Sequence, residues 1–240
     1  MTWRSLIFFR LPAYICLAVA AQAASVTGSV ELRDSRVPAV TRKKDFAGVV
    51  IALQKTGDTT AAQPAAHVVM LQKNKTFSPH ILAIQTGATV EFPNADPIFH
   101  NAFSSYNGQI FDVGLYPPGS TRSVRFLRPG VVRVFCNIHS AMSAIIFVTN
   151  AQYVTTTAQD GTFVLAVPPG EYEMTVFHER ATEPTLAALS RRIVVTDQPL
   201  RLPSIPVSEA GYLLAPHPNK YGKEYPPASD DQIFYPGAKN

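Results

Sequence analysis

Cysteine, histidine and methionine stand at three-residue intervals in Cys136-Asn-Ile-His139-Ser-Ala-Met142, placing a thiolate, an imidazole and a thioether within one short segment. Copper shuttles between a soft and a borderline state, and a Cys with two His in a trigonal set plus a long axial Met suits both. The segment supplies three of those four donors, so a second histidine must come from elsewhere. His100, in Asn94-Ala-Asp-Pro-Ile-Phe-His100-Asn101, is the best candidate: turn residues frame it, and the interval to Cys136 has room for several short strands that return beside it. The competing reading keeps Cys136 and Met142 as buried core and His139 as a loop residue. Zinc fits less well, because structural zinc takes four Cys or His ligands and catalytic zinc sites usually lack a thioether. His67, His80, His178 and His217 read as surface or edge positions, with His80 and His178 the ones to watch.

The expected compartment sharpens the cysteine question. Residues 1–24 carry Arg4 and Arg10, an apolar run over 11–20 and a small-residue Ala21-Gln22-Ala23 site, the layout of a cleaved secretory signal peptide. The run is shorter than the roughly 20 residues a spanning helix needs, so no membrane span is expected in the mature chain, and a periplasmic location is. Cys16 would leave with the leader. Cys136 would then be the one cysteine of a chain in an oxidising compartment, unable to form an internal disulfide. It would be buried and inert, paired with another chain, or held by a metal. Charged residues make up 16% of the 240-residue chain and hydrophobic ones 46%; the charged share falls below the roughly 25% usual for soluble domains and argues against disorder. A formal net charge of +4, lower still without Arg4 and Arg10, is too weak to imply nucleic acid.

These donors need elements to position them, and short alternating runs point to an all-β chain. Strands are expected over 26–32 and 46–54 around a basic turn at 41–44, with a Gly/Thr/Ala/Pro/Gln loop over 56–66. Further runs lie at 67–72, 81–85, 89–92, 123–126, 131–136 and 143–148, broken by Gly87, Pro93, Pro117-Pro118-Gly119 and Pro129-Gly130; this is the pattern of a sandwich or barrel. Alternation puts Val132, Val134 and Cys136 on one face and Arg133 on the other. Met142, Ala144, Ile146 and Val148 likewise share a face, so both sulfur residues point inward at the two ends of a turn. Asp160-Gly161 and Pro169-Gly170 mark turns between later strands, residues 183–191 could make one or two helical turns, and 209–240 read as an extended tail.

Together these motifs resemble a known family. Lys75-Thr-Phe77-Ser-Pro79, Gly87-Ala-Thr-Val90-Glu-Phe92-Pro-Asn94-Ala-Asp96, His100-Asn101 and Gly130-Val-Val-Arg-Val-Phe-Cys136-Asn-Ile-His139-Ser-Ala-Met142 are similar to a cupredoxin domain over 66–149. The nearest likeness is to plastocyanin-like and amicyanin-like proteins often labelled methylamine utilization proteins. The short Cys-x-x-His-x-x-Met loop is similar to that of amicyanin. The resemblance implies one type 1 copper with His100, Cys136 and His139 equatorial and Met142 axial. It also implies that the Asn101 side chain ties the ligand loop to its neighbour, orienting ligands from behind. A second resemblance covers 25–62 and 150–208. There Val26-Thr-Gly-Ser-Val30, Phe46-Ala-Gly-Val-Val-Ile-Ala-Leu53, Asp160-Gly161-Thr-Phe163 and Pro169-Gly170-Glu-Tyr172 look like a carboxypeptidase regulatory-like, transthyretin-like sandwich, into which the cupredoxin would be inserted. The alternative makes residues 25–65 extra cupredoxin strands.

The expected activity is one-electron transfer to or from a periplasmic redox protein, dehydrogenase or cytochrome-like, with His139 as the exit. Pro79, Ile98, Phe99, Phe103, Ala141 and Met142 would form an apolar docking patch, suited to weak, transient contact. The alternative is a copper carrier or partner-docking module without redox turnover. An enzyme is not expected: multicopper oxidases and copper nitrite reductases need further histidines, and no His-x-His pair, nucleophile elbow or phosphate loop occurs.

Overall fold

A computed structural model describes residues 23–58, 66–105, 108–213 and 217–225. Residues 1–22 of the expected leader, most of the 56–66 loop and the tail beyond 225 lie outside the described residues. Within them the chain is mostly β, in several sheets.

The strand Ala24–Arg33 alternates buried and open residues. It pairs antiparallel with Thr162–Val167 and parallel with Leu200–Arg201 and Ile205–Ser208. A second sheet runs in the order Tyr153–Thr156, Val50–Lys55, Gly170–Phe177, Arg191–Val195. Among the described residues, strands before residue 56 therefore pair with strands after residue 152. Their inner faces, including Val26, Val30, Ile51, Leu53, Phe163, Tyr172 and Val176, enclose one apolar core. The Asp160-Gly161 turn lies against this core because Gly161 adopts φ +82°, where a Cβ would run into the Val30 carbonyl. Only glycine fits so close an approach in that conformation.

Residues 67–149 pair among themselves. One sheet holds Ile81–Gln85, Ser143–Thr149, Gly130–Phe135, Phe103–Ser104 and Phe111–Asp112; another holds Thr121–Arg125, Thr89–Pro93 and His67–Val69. Phe92, Tyr116, Phe126, Val132, Val134 and Ile146 form a second core, which also contains Cys136 and Met142. The expected alternation holds, with Val132, Val134 and Cys136 inside and Arg133 exposed.

A smaller apolar seam of Val50, Ile81, Ile145 and Phe177 joins the two groups of strands, and Phe147 stacks on Phe177 at 5.0 Å. Beside it runs a polar chain: His80 meets Glu179 at 2.8 Å, Glu179 meets Arg180 at 2.6 Å, and Arg180 and His178 both reach Glu209.

Two local readings need correction. The basic stretch at 41–44 belongs to a helix, Pro38–Lys43, and the following strand starts at Val50 rather than 46. Pro38 suits the first turn of a helix, but the N-cap residue Val37 has no side chain that can cap it, and so short a helix is held by burying Val40 rather than by intrinsic propensity. The second helix, Glu183–Leu189, falls within the expected stretch, and Thr182 accepts a hydrogen bond from the Thr185 N–H at its N-terminus. No helix among the described residues is long and apolar enough to cross a membrane.

Candidate metal centre

The antiparallel strands Gly130–Phe135 and Ser143–Thr149 stay in register to the pair Phe135 and Ser143. Beyond it the Cys136 N–H donates to the Met142 carbonyl at 3.1 Å, and the Met142 N–H donates to the His139 carbonyl at 3.0 Å. The two sulfur residues thus sit at the closing rung of a hairpin, and both are fully buried. His139 occupies the turn between them and is half-buried.

His100 arrives from a different segment, just ahead of Phe103, which pairs with Phe135. Its backbone forms a two-way bridge with Tyr116, His100 N–H to Tyr116 carbonyl at 3.2 Å and the reverse at 2.9 Å. Asn94 shapes the approach: its side-chain oxygen accepts from the Asp96 N–H and its amide donates to the Ile98 carbonyl. The His100 ring packs edge-on to His139, with centroids 4.9 Å apart.

Each imidazole turns Nδ1 toward the sulfur, His100 at 3.9 Å and His139 at 3.6 Å. The donor atoms of His100, Cys136 and His139 all lie within 4.8 Å of one another. A first-row ion bonded at about 2.0 Å to nitrogen and about 2.3 Å to sulfur, in a trigonal plane, sets sulfur-to-nitrogen separations of about 3.8 Å. The observed spacing fits an ion between them. Thiolate and two imidazoles beside a buried methionine are also the donor types that favour copper over zinc.

Asp96 completes the cluster, and the sequence reading does not single it out. Its Oδ2 accepts from His100 Nε2 at 2.8 Å and from the Lys75 N–H at 2.8 Å, while Oδ1 accepts from the Asn74 N–H at 2.6 Å. With the ring proton held at Nε2, Nδ1 keeps its lone pair toward the sulfur. Asn74 and Lys75 both have positive φ, 55° and 54°, in the turn between Leu71–Lys73 and Thr76–Ser78. Asn tolerates that conformation readily and Lys does not, so the carboxylate helps hold the turn. Burial pushes Asp96 up, but Lys75, His100 and Asn74 together hold it below the usual carboxylate range. Burial lowers His100, with Asp96 opposing, and raises the Cys136 thiol despite backbone N–H groups of Ile138, Asn101 and His139 directed at the sulfur.

Asn101 is fully buried, and its side-chain amide donates to Asp112 Oδ1 at 2.8 Å. The expected docking patch is revised: Phe103 and Met142 are buried at 1% and 0% exposure, which leaves Pro79, Ile98, Phe99 and Ala141 open or half-open. Among the remaining histidines, His67 pairs with Glu91, His80 with Glu179 and His178 with Glu209. His217 lies against the ligand turn itself, with Nε2 at 3.1 Å from the Ser140 carbonyl.

No protein-family model matches the chain, and no curated protein does. Solved structures do align with part of it. A copper-containing nitrite reductase (NirK) from Thermus scotoductus SA-01 is 26% identical over 40% of this chain, with a TM-score of 0.34. This chain spans 25% of that enzyme's length. A purple cupredoxin from Nitrosopumilus maritimus is 26% identical over 35% of this chain and 99% of its own, with a TM-score of 0.31. A single-substitution variant of amicyanin in its reduced state is 17% identical over 41% of this chain and 99% of its own, with a TM-score of 0.33.

Proposed function

We infer that the chain is an exported cupredoxin that carries single electrons through one type 1 copper, held by His100, Cys136 and His139 with Met142 as the axial donor. The observation that carries this reading is the convergence of one buried thiol and two Nδ1 atoms within 4.8 Å, with the buried Met142 paired through its carbonyl to the Cys136 N–H. When bound, copper supplies reversible one-electron exchange between Cu(I) and Cu(II). The chain's own residues account for the rest. Asp96 fixes the His100 proton at Nε2, and the hairpin rung fixes the spacing of Cys136 from Met142. Burial keeps water from the sulfur, and half-buried His139 gives the cluster its route to the surface. On this reading the chain is not an enzyme, and its partner is a periplasmic dehydrogenase or cytochrome-like protein reached by weak, transient contact.

The same proposal extends to the surrounding strands. Residues 25–62 and 150–208 would form a carboxypeptidase regulatory-like sandwich interrupted by the copper module at 66–149. The strand partnerships across that interval support it. Such a sandwich is an accessory module and contributes no peptidase chemistry.

The test is to add Cu(II) to the protein beginning at Ala24, record visible absorption and electron paramagnetic resonance spectra, and do the same for Cys136→Ser. An intense thiolate-to-copper band with narrow hyperfine splitting, absent from the variant, is the expected result. A folded protein that binds copper without that band would refute a type 1 site. Slow self-exchange together with ready copper release would replace electron transfer with copper carriage.

A further inference from the structure

Alternation along Gly130–Phe135 sends Phe135 to the side opposite Cys136, outward from the module core. It is nevertheless only 5% exposed. The cover comes from Phe103 and from residues 217–225, which follow every strand among the described residues. The His217 ring stacks on Phe135 at 3.8 Å between centroids, and Tyr225 packs edge-on against His217 at 5.3 Å.

The same segment bonds to the ligand turn at three points. The Tyr225 hydroxyl donates to the Cys136 carbonyl at 2.8 Å. The Ser140 carbonyl can only accept, so the His217 Nε2 facing it at 3.1 Å carries the proton. The Lys220 N–H donates to Asn137 Oδ1 at 3.0 Å. Lys220 then reaches across with its ammonium group to Asp112 Oδ2 at 2.8 Å, and Asp112 is the residue that accepts from Asn101. Beside the direct pairing of Phe103 with Phe135, a side-chain link from the His100 segment to the Cys136 segment runs Asn101, Asp112, Lys220, Asn137, passing through the C-terminal segment.

We propose that residues 217–225 are a cap that closes the ligand turn from outside, with His217, Lys220 and Tyr225 as positioning residues. The cap holds the Cys136 and Ser140 carbonyls on either side of His139, adds a second tie between the two ligand-bearing segments, and, by holding the turn closed, sets how fast a reagent or ion reaches the thiol. This goes beyond the copper reading and does not require it, because every contact named belongs to the metal-free protein.

The test compares full-length wild type with H217A/Y225A and with Tyr225→Phe, all metal-free and reduced. One measurement is the rate at which iodoacetamide alkylates Cys136; the other is the urea unfolding midpoint. The cap predicts alkylation at least tenfold faster in the double variant, through an opening whose rate is insensitive to urea below the unfolding transition. Tyr225→Phe, which keeps the ring and loses the hydrogen bond, should fall between. An unchanged rate in the double variant overturns the cap, and so does a faster rate that follows global unfolding with a steep urea dependence. Stopped-flow uptake of Cu(II) by the same proteins should accelerate in the same order. Failure to bind copper at all would remove the function proposed above and leave the alkylation result standing.

Discussion

Replacing Asp96 with Asn changes one oxygen to an amide and removes one charge, and its effect follows from the three donors that the carboxylate accepts. The Asn74 N–H occupies one oxygen; the Lys75 N–H and His100 Nε2 share the other. An asparagine oriented to keep its oxygen on Lys75 and His100 turns an NH2 group against the Asn74 N–H. The opposite orientation sets it against two donors. The better choice still leaves a backbone N–H unpaired in a site that is 7% exposed, at a cost of about 1–3 kcal/mol, with a further loss from weakening two charge-assisted bonds. The metal-free variant should therefore lose about 2–4 kcal/mol of unfolding free energy in urea. His100 also loses the anion that fixes its tautomer, and such outer partners are worth about ten- to a hundredfold in metal affinity. A chelator competition titration reads the second quantity. Wild-type affinity and wild-type stability together in Asp96→Asn would refute the assignment of Asp96 as the orienter of His100.

Met142→Leu removes the thioether while keeping the buried volume, so the copper band should persist and the reduction potential should rise; an unchanged potential in a redox titration removes Met142 from the axial position. Glu209 gives the fold an acid limit of its own. Burial pushes its carboxyl up, but His178, Ser35 and Arg180 more than offset this and hold it at about 2. A depressed carboxyl contributes stability that is full above its unfolded value of 4.5 and is lost as pH falls toward about 2. That is worth at most about 3 kcal/mol across the window. Urea midpoints measured from pH 6 to pH 2 should show the loss in the wild type and a flatter profile in Glu209→Gln; parallel profiles would count against it.

The donor loop is legible in the sequence because everything that forms it is local. Cys136, His139 and Met142 lie within one turn, and the period-two pattern on either side orients both sulfur residues inward. His100 is reachable because its framing turn residues are also local. Asp96 reads as one polar residue among the turn signals of Pro93-Asn94-Ala95-Asp96-Pro97, although a carboxylate four positions before a candidate ligand is a usable signal. Its other partners, Asn74 and Lys75, come from a separate hairpin, and nothing in the spacing announces that meeting. The helix Pro38–Lys43 reads as a turn because six residues carry too little periodicity to register, and tertiary burial of Val40 decides it. Phe103 reads as part of a surface patch, and Met142 is assigned to that patch against its own inward alternation, because apolar character says nothing about which side of a loop faces solvent. The placement of 217–225 is invisible for a related reason: an aperiodic Tyr-, Pro- and Lys-rich segment has no face to assign until a partner surface exists.

Strand connectivity also dictates an order of assembly on a chain that is made from its N-terminus. Ala24–Arg33 and Val50–Lys55 emerge first, yet their partners begin only at Tyr153. Until then they present unpaired edges, the kind of surface that invites aggregation or a chaperone. The 67–149 stretch carries its own pairings and can close before any of those partners exist. The outer sheets can be completed only afterwards, and, among the described residues, 217–225 arrive last. The core that buries Cys136 can thus close before residues 217–225 reach the ligand turn, leaving an interval in which Cys136 is folded but its turn is uncapped. If the cap limits access as proposed, that interval is when the nascent protein is most open to an incoming ion.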